Sequence, residues 1–283
     1  MILPLTVVIP TYRPAPDVVT LASTVAPRVG NLVVSDDASP CTFDPVLREL
    51  SDVASVIHHE TNTGIARGLN EGLASARKAG HAWLLTLDQD SRVDESYLEC
   101  IYAFASGVAD TGARVGAVGA QFVCTSGKRI CYPETVQHGL RTTHEVFQSG
   151  TLWNVPALTS AGGFDEELGI DAVDAAACLR LRERGSVIAL ADELVLDHRW
   201  GETEFITIGN RSIALTHHSP ERRRTMVRNR LRLAPAEFRQ SPTHAARTLR
   251  RLGVGTSMAL LRESNRRAKL AATFGGLWGA TKR

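Results

Sequence analysis

Paired cysteines, a long apolar run and an appreciable overall charge are all missing from this chain, and each absence narrows the field. The five cysteines, Cys41, Cys100, Cys124, Cys131 and Cys178, are an odd number with no CxxC pair. That excludes a disulfide framework or a zinc ribbon and leaves reduced core or surface thiols. The longest strand-like run is only Leu5 to Pro10, far short of the roughly 20 apolar residues of a bilayer span. The opening Met1, Ile2, Leu3, Pro4 lacks the basic start of a signal peptide, so the expected location is cytoplasmic. What is present is ordinary for a globular protein: 283 residues, 43% hydrophobic, 22% charged and 6% aromatic, enough for one or two domains with a sizeable core.

The net charge of +2 hides an asymmetry. Residues 220–283 hold sixteen basic and three acidic residues, a balance of +13, which leaves residues 1–219 with sixteen against twenty-seven, or −11. An acidic body with a basic tail points the tail toward something anionic: ligand phosphates, a membrane surface or nucleic acid. The plainer reading is a solvated, arginine-rich helical face.

The first half alternates strand and helix patterns. Leu5 to Pro10, Asn31 to Ser35 and Ala54 to His58 are short β-branched runs of the kind buried on both faces of a parallel sheet. Asp17 to Ala26 has helical apolar spacing, and Ile65 to Ala79 reads as a helix stopped by Gly80, leading into a strand over Ala82 to Leu87. The expected class is α/β, with a mostly parallel sheet, helices on both faces, and ligands outside the carboxyl ends of the strands.

Polar groups stand at those ends. Pro10, Thr11 and Tyr12 follow the first strand, Asp36 and Asp37 the second, and Asp88, Gln89, Asp90 and Ser91 the fourth. Asp36 and Asp37 alone would more often cap a turn; convergence on one sheet edge raises them above that. Asp88 and Asp90 can face the same way only if the chain turns there. Acids held close repel unless they share a cation, so a hard divalent ion, Mg²⁺ or Mn²⁺, with nucleotide phosphates completing its shell is the natural resolution.

These residues resemble the inverting family-2 glycosyltransferases of GT-A fold, and within them the bacterial rhamnosyltransferase-like branch. The resemblance rests on Val7 to Tyr12, Val34 to Ser39, Asn62 to Gly72, the DQDS form of the DXD motif over Leu87 to Ser91, Gly162 to Asp165, Ile170 to Asp174 leading to Leu179 through Gly185, His198 to Gly201, and Arg228 with Asn229, in family order from about residue 5 to 230. It implies a glycosyltransferase domain over 1–219, its nucleotide-sugar half about 1–120 and acceptor half about 121–219, and a basic helical extension over 220–283. It further implies metal-dependent transfer of a sugar, L-rhamnose from dTDP-L-rhamnose, to a glycan or polyprenyl-linked acceptor in cell-surface polysaccharide synthesis. A UDP-hexose or UDP-galactofuranose donor is the alternative, since thymine and uracil present the same hydrogen-bonding edge. A protein that only binds nucleotide-sugar is a further one.

Carried over residue by residue, the resemblance makes Asp36 the acid that bonds the nucleobase, with Pro10, Thr11 and Tyr12 in the same pocket. Gly64 and Arg67 lie against the nucleotide, the glycine permitting close approach. Asp88 faces the ribose or sugar, Asp90 ligates the metal, His198 is an additional ligand, and Arg228 reaches the diphosphate. The acceptor side takes Gly163 and Trp153, the latter as a sugar platform or simply as core.

Inverting transfer is one in-line displacement at the anomeric carbon and needs a single carboxylate to take the acceptor proton. The resemblance places that base at Asp171, with Asp174 second; the two are three apart at the expected start of a helix running to about Arg184 and closed by Gly185, hence on one face. The family usually has Glu-Asp at this point, and the run Ile170, Asp171, Ala172 departs from it.

Thr243 to Leu261 reads as a basic amphipathic surface helix, suited either to the inner leaflet of the plasma membrane or to an oligomer interface. Gly253, Gly255, Gly275, Gly276 and Gly279 argue against one long straight helix. A nucleotidyltransferase would want a glycine-rich, basic loop directly after the first strand, and Pro10 to Pro14 is not one. The acidic body and the lack of aromatics within Arg222 to Arg232 weigh against nucleic-acid binding.

Overall fold

The computed structural model describes residues 1–124, 129–130, 132–198, 204–208, 211–215 and 217–281. Two compact units divide it, Met1–Arg199 and Trp200–Arg283.

The first unit runs β1 (Leu3–Thr11), α1 (Asp17–Val25), β2 (Val29–Asp36), α2 (Asp44–Ser51), β3 (Ser55–His58), α3 (Ile65–Ala79), β4 (Trp83–Thr86), α4 (Glu95–Gly107), β5 (Val115–Cys124), β6 (Arg129–Ile130), β7 (Thr135–Gln137), β8 (Leu140–Thr143), β9 (Thr151–Asn154), α5 (Val155–Ser160), α6 (Val173–Glu183) and β10 (Val187–His198). The strands form one sheet in the order β3-β2-β1-β4-β9-β5-β10-β8-β7. From β3 to β4 the pairing is parallel; β9 then runs antiparallel between β4 and β5, and the far half is mixed. The expected α/β class is therefore present, with its parallel character concentrated in the first half of the unit.

Each strand and helix expected in that half forms, because the signals are local. The β-branched stretch Val7, Val8 and Ile9 is fully buried, as are Val34, Leu84 and Leu85. Gly80 closes α3 in the left-handed conformation at φ +71°, its N–H returning to the carbonyls of Ala76 and Arg77.

Helix α3 lies unusually close to the sheet. A methyl group on Gly68 would come within 2.8 Å of Ser35 Oγ, and one on Gly72 would collide with Cβ and both methyls of Val8. The spacing of four residues puts both glycines on the sheet-facing side. Gly72→Ala is expected to destabilise the protein by about 1–3 kcal/mol through overpacking, despite the better helix propensity of alanine. A lowered urea midpoint at unchanged slope would register it.

The second unit contains a hairpin, β11 (Glu204–Ile208) with β12 (Arg211–Leu215), then helices α7 (Pro220–Gln240), α8 (Pro242–Arg262) and α9 (Arg266–Thr281). Ser219 and Ser241 cap α7 and α8, each followed by proline in the first turn. The tail glycines do not break these helices. Gly253 and Gly255 sit inside α8, and Gly276 lets α9 approach α7, since a methyl there would lie 2.7 Å from the Arg224 carbonyl oxygen. The break falls instead at Asn265, at φ +56°. Between α8 and α9 the carboxylate of buried Glu263 takes Lys269 Nζ at 2.6 Å and the His217 N–H at 3.1 Å. Among the described residues no helix is long and apolar enough to cross a membrane.

Candidate functional site

Parallel register lines up the strand ends. Thr11 pairs with Asp36 and Asp36 with His58 across β1, β2 and β3, while β4 stops level with Val8 of β1 and hands over to the DQDS segment. There the chain turns, as facing carboxylates require: the Ser91 N–H donates to the Asp88 carbonyl at 3.0 Å. Asp90 is left exposed on the turn. Gln89 points back to β1, its Oε1 accepting the Tyr12 N–H at 2.9 Å and its Nε2 donating to the Tyr12 carbonyl at 3.3 Å. This reciprocal amide pair locks the end of β1 to the turn. Of Pro10, Thr11 and Tyr12 only Tyr12 reaches the surface, at 41% exposure, with the Arg13 guanidinium 5.0 Å from its ring centroid.

The 148–151 segment supports the turn from beneath. Gln148 Nε2 donates to Asp88 Oδ1, Ser149 and Ser91 share a hydroxyl contact of 2.6 Å, and Tyr97 Oη donates to the Gly150 carbonyl at 2.7 Å. Burial pushes the Tyr97 phenol far above its ordinary pKa, which keeps it a neutral donor. Gln148 and Tyr97 escaped the sequence reading; both lie more than fifty residues from their partners, or on a helix face, where no local pattern marks them.

The two acids after β2 are internal. Asp36 is 0% exposed. Its carboxylate accepts the Thr11 hydroxyl at 3.1 Å and the Ser39 hydroxyl and N–H at 2.6 and 2.9 Å, and His58 Nδ1 lies 2.8 Å away. Four groups thus bond the Asp36 carboxylate inside the turn. Asp37 accepts the N–H groups of Thr63 and Gly64, both at 2.7 Å, and so serves the orphan donors at the start of α3.

Gly64 packs against a second loop. At φ +90° it needs to be glycine, but its open side is filled by Gly169, whose carbonyl carbon and oxygen would be 2.5 Å from an added methyl. The close approach is that of another loop. Ala66 N–H donates to the Gly169 carbonyl at 3.3 Å. Arg67, on the first turn of α3, is exposed, with Nε 3.7 Å from Glu71 Oε1.

The loop tethered there carries the candidate base. Asn70 bonds both the N–H and the carbonyl of Phe164, at 2.8 and 2.9 Å, and Arg180, its pKa lowered by burial though raised by Asp165, donates to the Gly163 carbonyl at 2.8 Å. Gly163 is buried by these contacts, at φ +71°. Trp153 is fully buried on β9, its Nε1 bonded to Thr86 Oγ1 at 2.9 Å and its ring edge-on to Phe164, the core placement that stood as the alternative to a sugar platform.

Asp171 and Asp174 do not share a helical face. α6 begins at Val173, and Asp171 and Ala172 precede it as consecutive non-glycine residues in the left-handed region, at φ +64° and +62°. Aspartate tolerates that conformation better than most residues, but the cost is real, and such strain gathers at functional sites. Asp174 lies in the first turn of α6 and accepts its neighbour's N–H, from Ala175, at 2.8 Å. Both acids are half-buried. His198 ends β10, but its side chain lies outside those described, as do Trp200 and Gly201. Arg228 belongs to the second unit, on α7, with Nε donating to Asn229 Oδ1 at 2.9 Å.

The donor set on the turn, the exposed Asp90 and half-buried Asp88 carboxylates at a sheet edge, is all oxygen, as a hard divalent cation prefers.

Residues 6–153 match the family described as Glycosyl transferase family 2. The dTDP-rhamnosyl transferase RfbF of Shigella flexneri is 27% identical over 212 residues, covering 70% of this chain and 68% of that protein. Among solved structures, S. aureus TarS residues 1–349 with UDP-GlcNAc superposes at a TM-score of 0.61 and 15% identity over 98% of this chain and 82% of that one. The same protein with UDP gives 0.55 and 15% over 92% and 73%.

Proposed function

Since the chain belongs to glycosyl transferase family 2 and is a glycosyltransferase, we propose that it transfers L-rhamnose from dTDP-L-rhamnose, with inversion, to a hydroxyl of a glycan or polyprenyl-linked glycan in cell-surface polysaccharide synthesis. The RfbF likeness supports the donor. Residues 1–219 carry the chemistry, and 220–283 form a basic extension.

The observation that supports the site is the Tyr12–Gln89 clasp, which ties the end of β1, where Tyr12 is exposed, to the turn that carries the exposed Asp90. On this reading Tyr12 flanks the nucleobase, Arg67 approaches the nucleotide, and Asp88, steadied by Gln148, faces the ribose or sugar. Asp90 holds Mn²⁺ or Mg²⁺, an ion that neutralises the departing diphosphate when bound. Asp171 accepts the acceptor's proton. A second reading keeps these roles with a UDP-sugar donor, as TarS has been solved with UDP-GlcNAc.

A thermal-shift series with dTDP, UDP, GDP and ADP, each with and without Mn²⁺, tests both readings. A ligand at a hundred times its dissociation constant adds about 2.7 kcal/mol of stability. The expected result is a shift that needs the metal together with dTDP, or with UDP on the second reading. No shift with any nucleotide would sink the donor site.

A further inference from the structure

Helix α9 keeps its large apolar side chains on the side away from the protein. Its inner side holds buried Lys269 and Gly276. On the outer side Leu270 (44%), Phe274 (62%), Leu277 (43%) and Trp278 (67%) are exposed. Their spacing, four, then three, then one residue, makes one continuous stripe. Lys269 is the single charged residue between Ala268 and Thr281, and it turns inward to the buried Glu263 carboxylate. From Ala268 to Thr281 the outer side is therefore uncharged. Exposed Arg266 and Arg267 stand at the foot of the stripe, with Arg262 and the exposed Leu261 (62%) just before them. Arg262, Ser264, Asn265, Arg266 and Arg267 line an open concavity there. Such a cluster on a globular surface marks an interaction site.

We propose that α9 docks on an anionic lipid bilayer. It lies in the interface plane with Leu270, Phe274, Leu277 and Trp278 at the acyl boundary and Arg262, Arg266 and Arg267 among headgroup phosphates. Charge selects this occupant. Residues 220–283 carry +13, which repels the same face of a second copy but is drawn to an anionic surface, each nearby basic residue adding about fivefold to partition. A tryptophan on such a stripe suits the headgroup level. Helix α8, the segment whose pattern suggested a surface helix, exposes only Val254 (43%) and Leu261 (62%) among its large apolar residues. The inward Lys269–Glu263 pair keeps the lysine off the stripe. This surface belongs to the second unit and requires no nucleotide.

The test uses the full chain, co-sedimented with phosphatidylcholine vesicles with and without phosphatidylglycerol, alongside size-exclusion chromatography. Binding to the anionic vesicles that weakens with salt is expected. Phe274→Ala with Trp278→Ala should lower partition by about tenfold or more. Arg266→Gln with Arg267→Gln should lower it by about twenty-five-fold and weaken the anionic preference. Both variants should keep the wild-type unfolding midpoint and nucleotide response. The proposal is overturned by no binding to anionic vesicles, by binding that the aromatic variant leaves intact, or by a dimer that the same variant dissociates, which would give the face to a second copy. A lost nucleotide response with intact vesicle binding would count against the transfer reading alone.

Discussion

Asp171→Asn is expected to cut turnover by roughly 10² to 10⁴, the range a positioned general base supplies, while leaving donor binding at its wild-type strength. The backbone argues that the variant will fold. Asp171 sits at φ +64°, a conformation asparagine accepts as readily as aspartate. The segment before it is anchored elsewhere, through the Ala66 N–H on the Gly169 carbonyl and the Asn70 amide on Phe164. What the substitution removes is the ability to take a proton. Single-turnover assays beside nucleotide titration separate the two effects. Turnover close to wild type would move the base to Asp174, whose carboxylate already accepts the Ala175 N–H.

Asp90→Asn carries the second large effect: loss of the nucleotide stabilisation that depends on a divalent cation, about 2.7 kcal/mol at saturating ligand, seen as a melting temperature that no longer responds to Mn²⁺. The side chain is exposed, and the turn beneath it closes through backbone atoms of Asp88 and Ser91, so the apo protein should melt as before. A variant that still binds nucleotide only in the presence of Mn²⁺, as tightly as wild type, would remove the metal from Asp90.

Much of the parallel half of the sheet is legible in the sequence because its causes are local. β-branched runs bury themselves, Gly80 ends α3, and Gln89 and Ser91 allow the turn that Asp88 and Asp90 need. What is not legible is a partner distant in the chain. Nothing local announces that His58 and Thr11 bond Asp36, that Gly169 packs on Gly64, or that the Trp153 indole N–H bonds Thr86. The tail glycines argue rightly against one long straight helix, since α7, α8 and α9 are separate, but the packing of α9 on α7 uses one of them as a seat. Gln148 and Asn70 carry no local signal for the same reason: each is an ordinary polar residue made important by a carboxylate or a loop far along the chain.

The contact between Gly64 and Gly169 bears on any attempt to graft the loop it anchors. A chimaera that placed residues 163–171 of this chain in a relative would bring a backbone that fits a bare α-carbon at 64 and an amide at 70. Transplanting that loop alone should yield an insoluble or inactive hybrid, whereas moving it together with Gly64 and Asn70 carries the complete cassette.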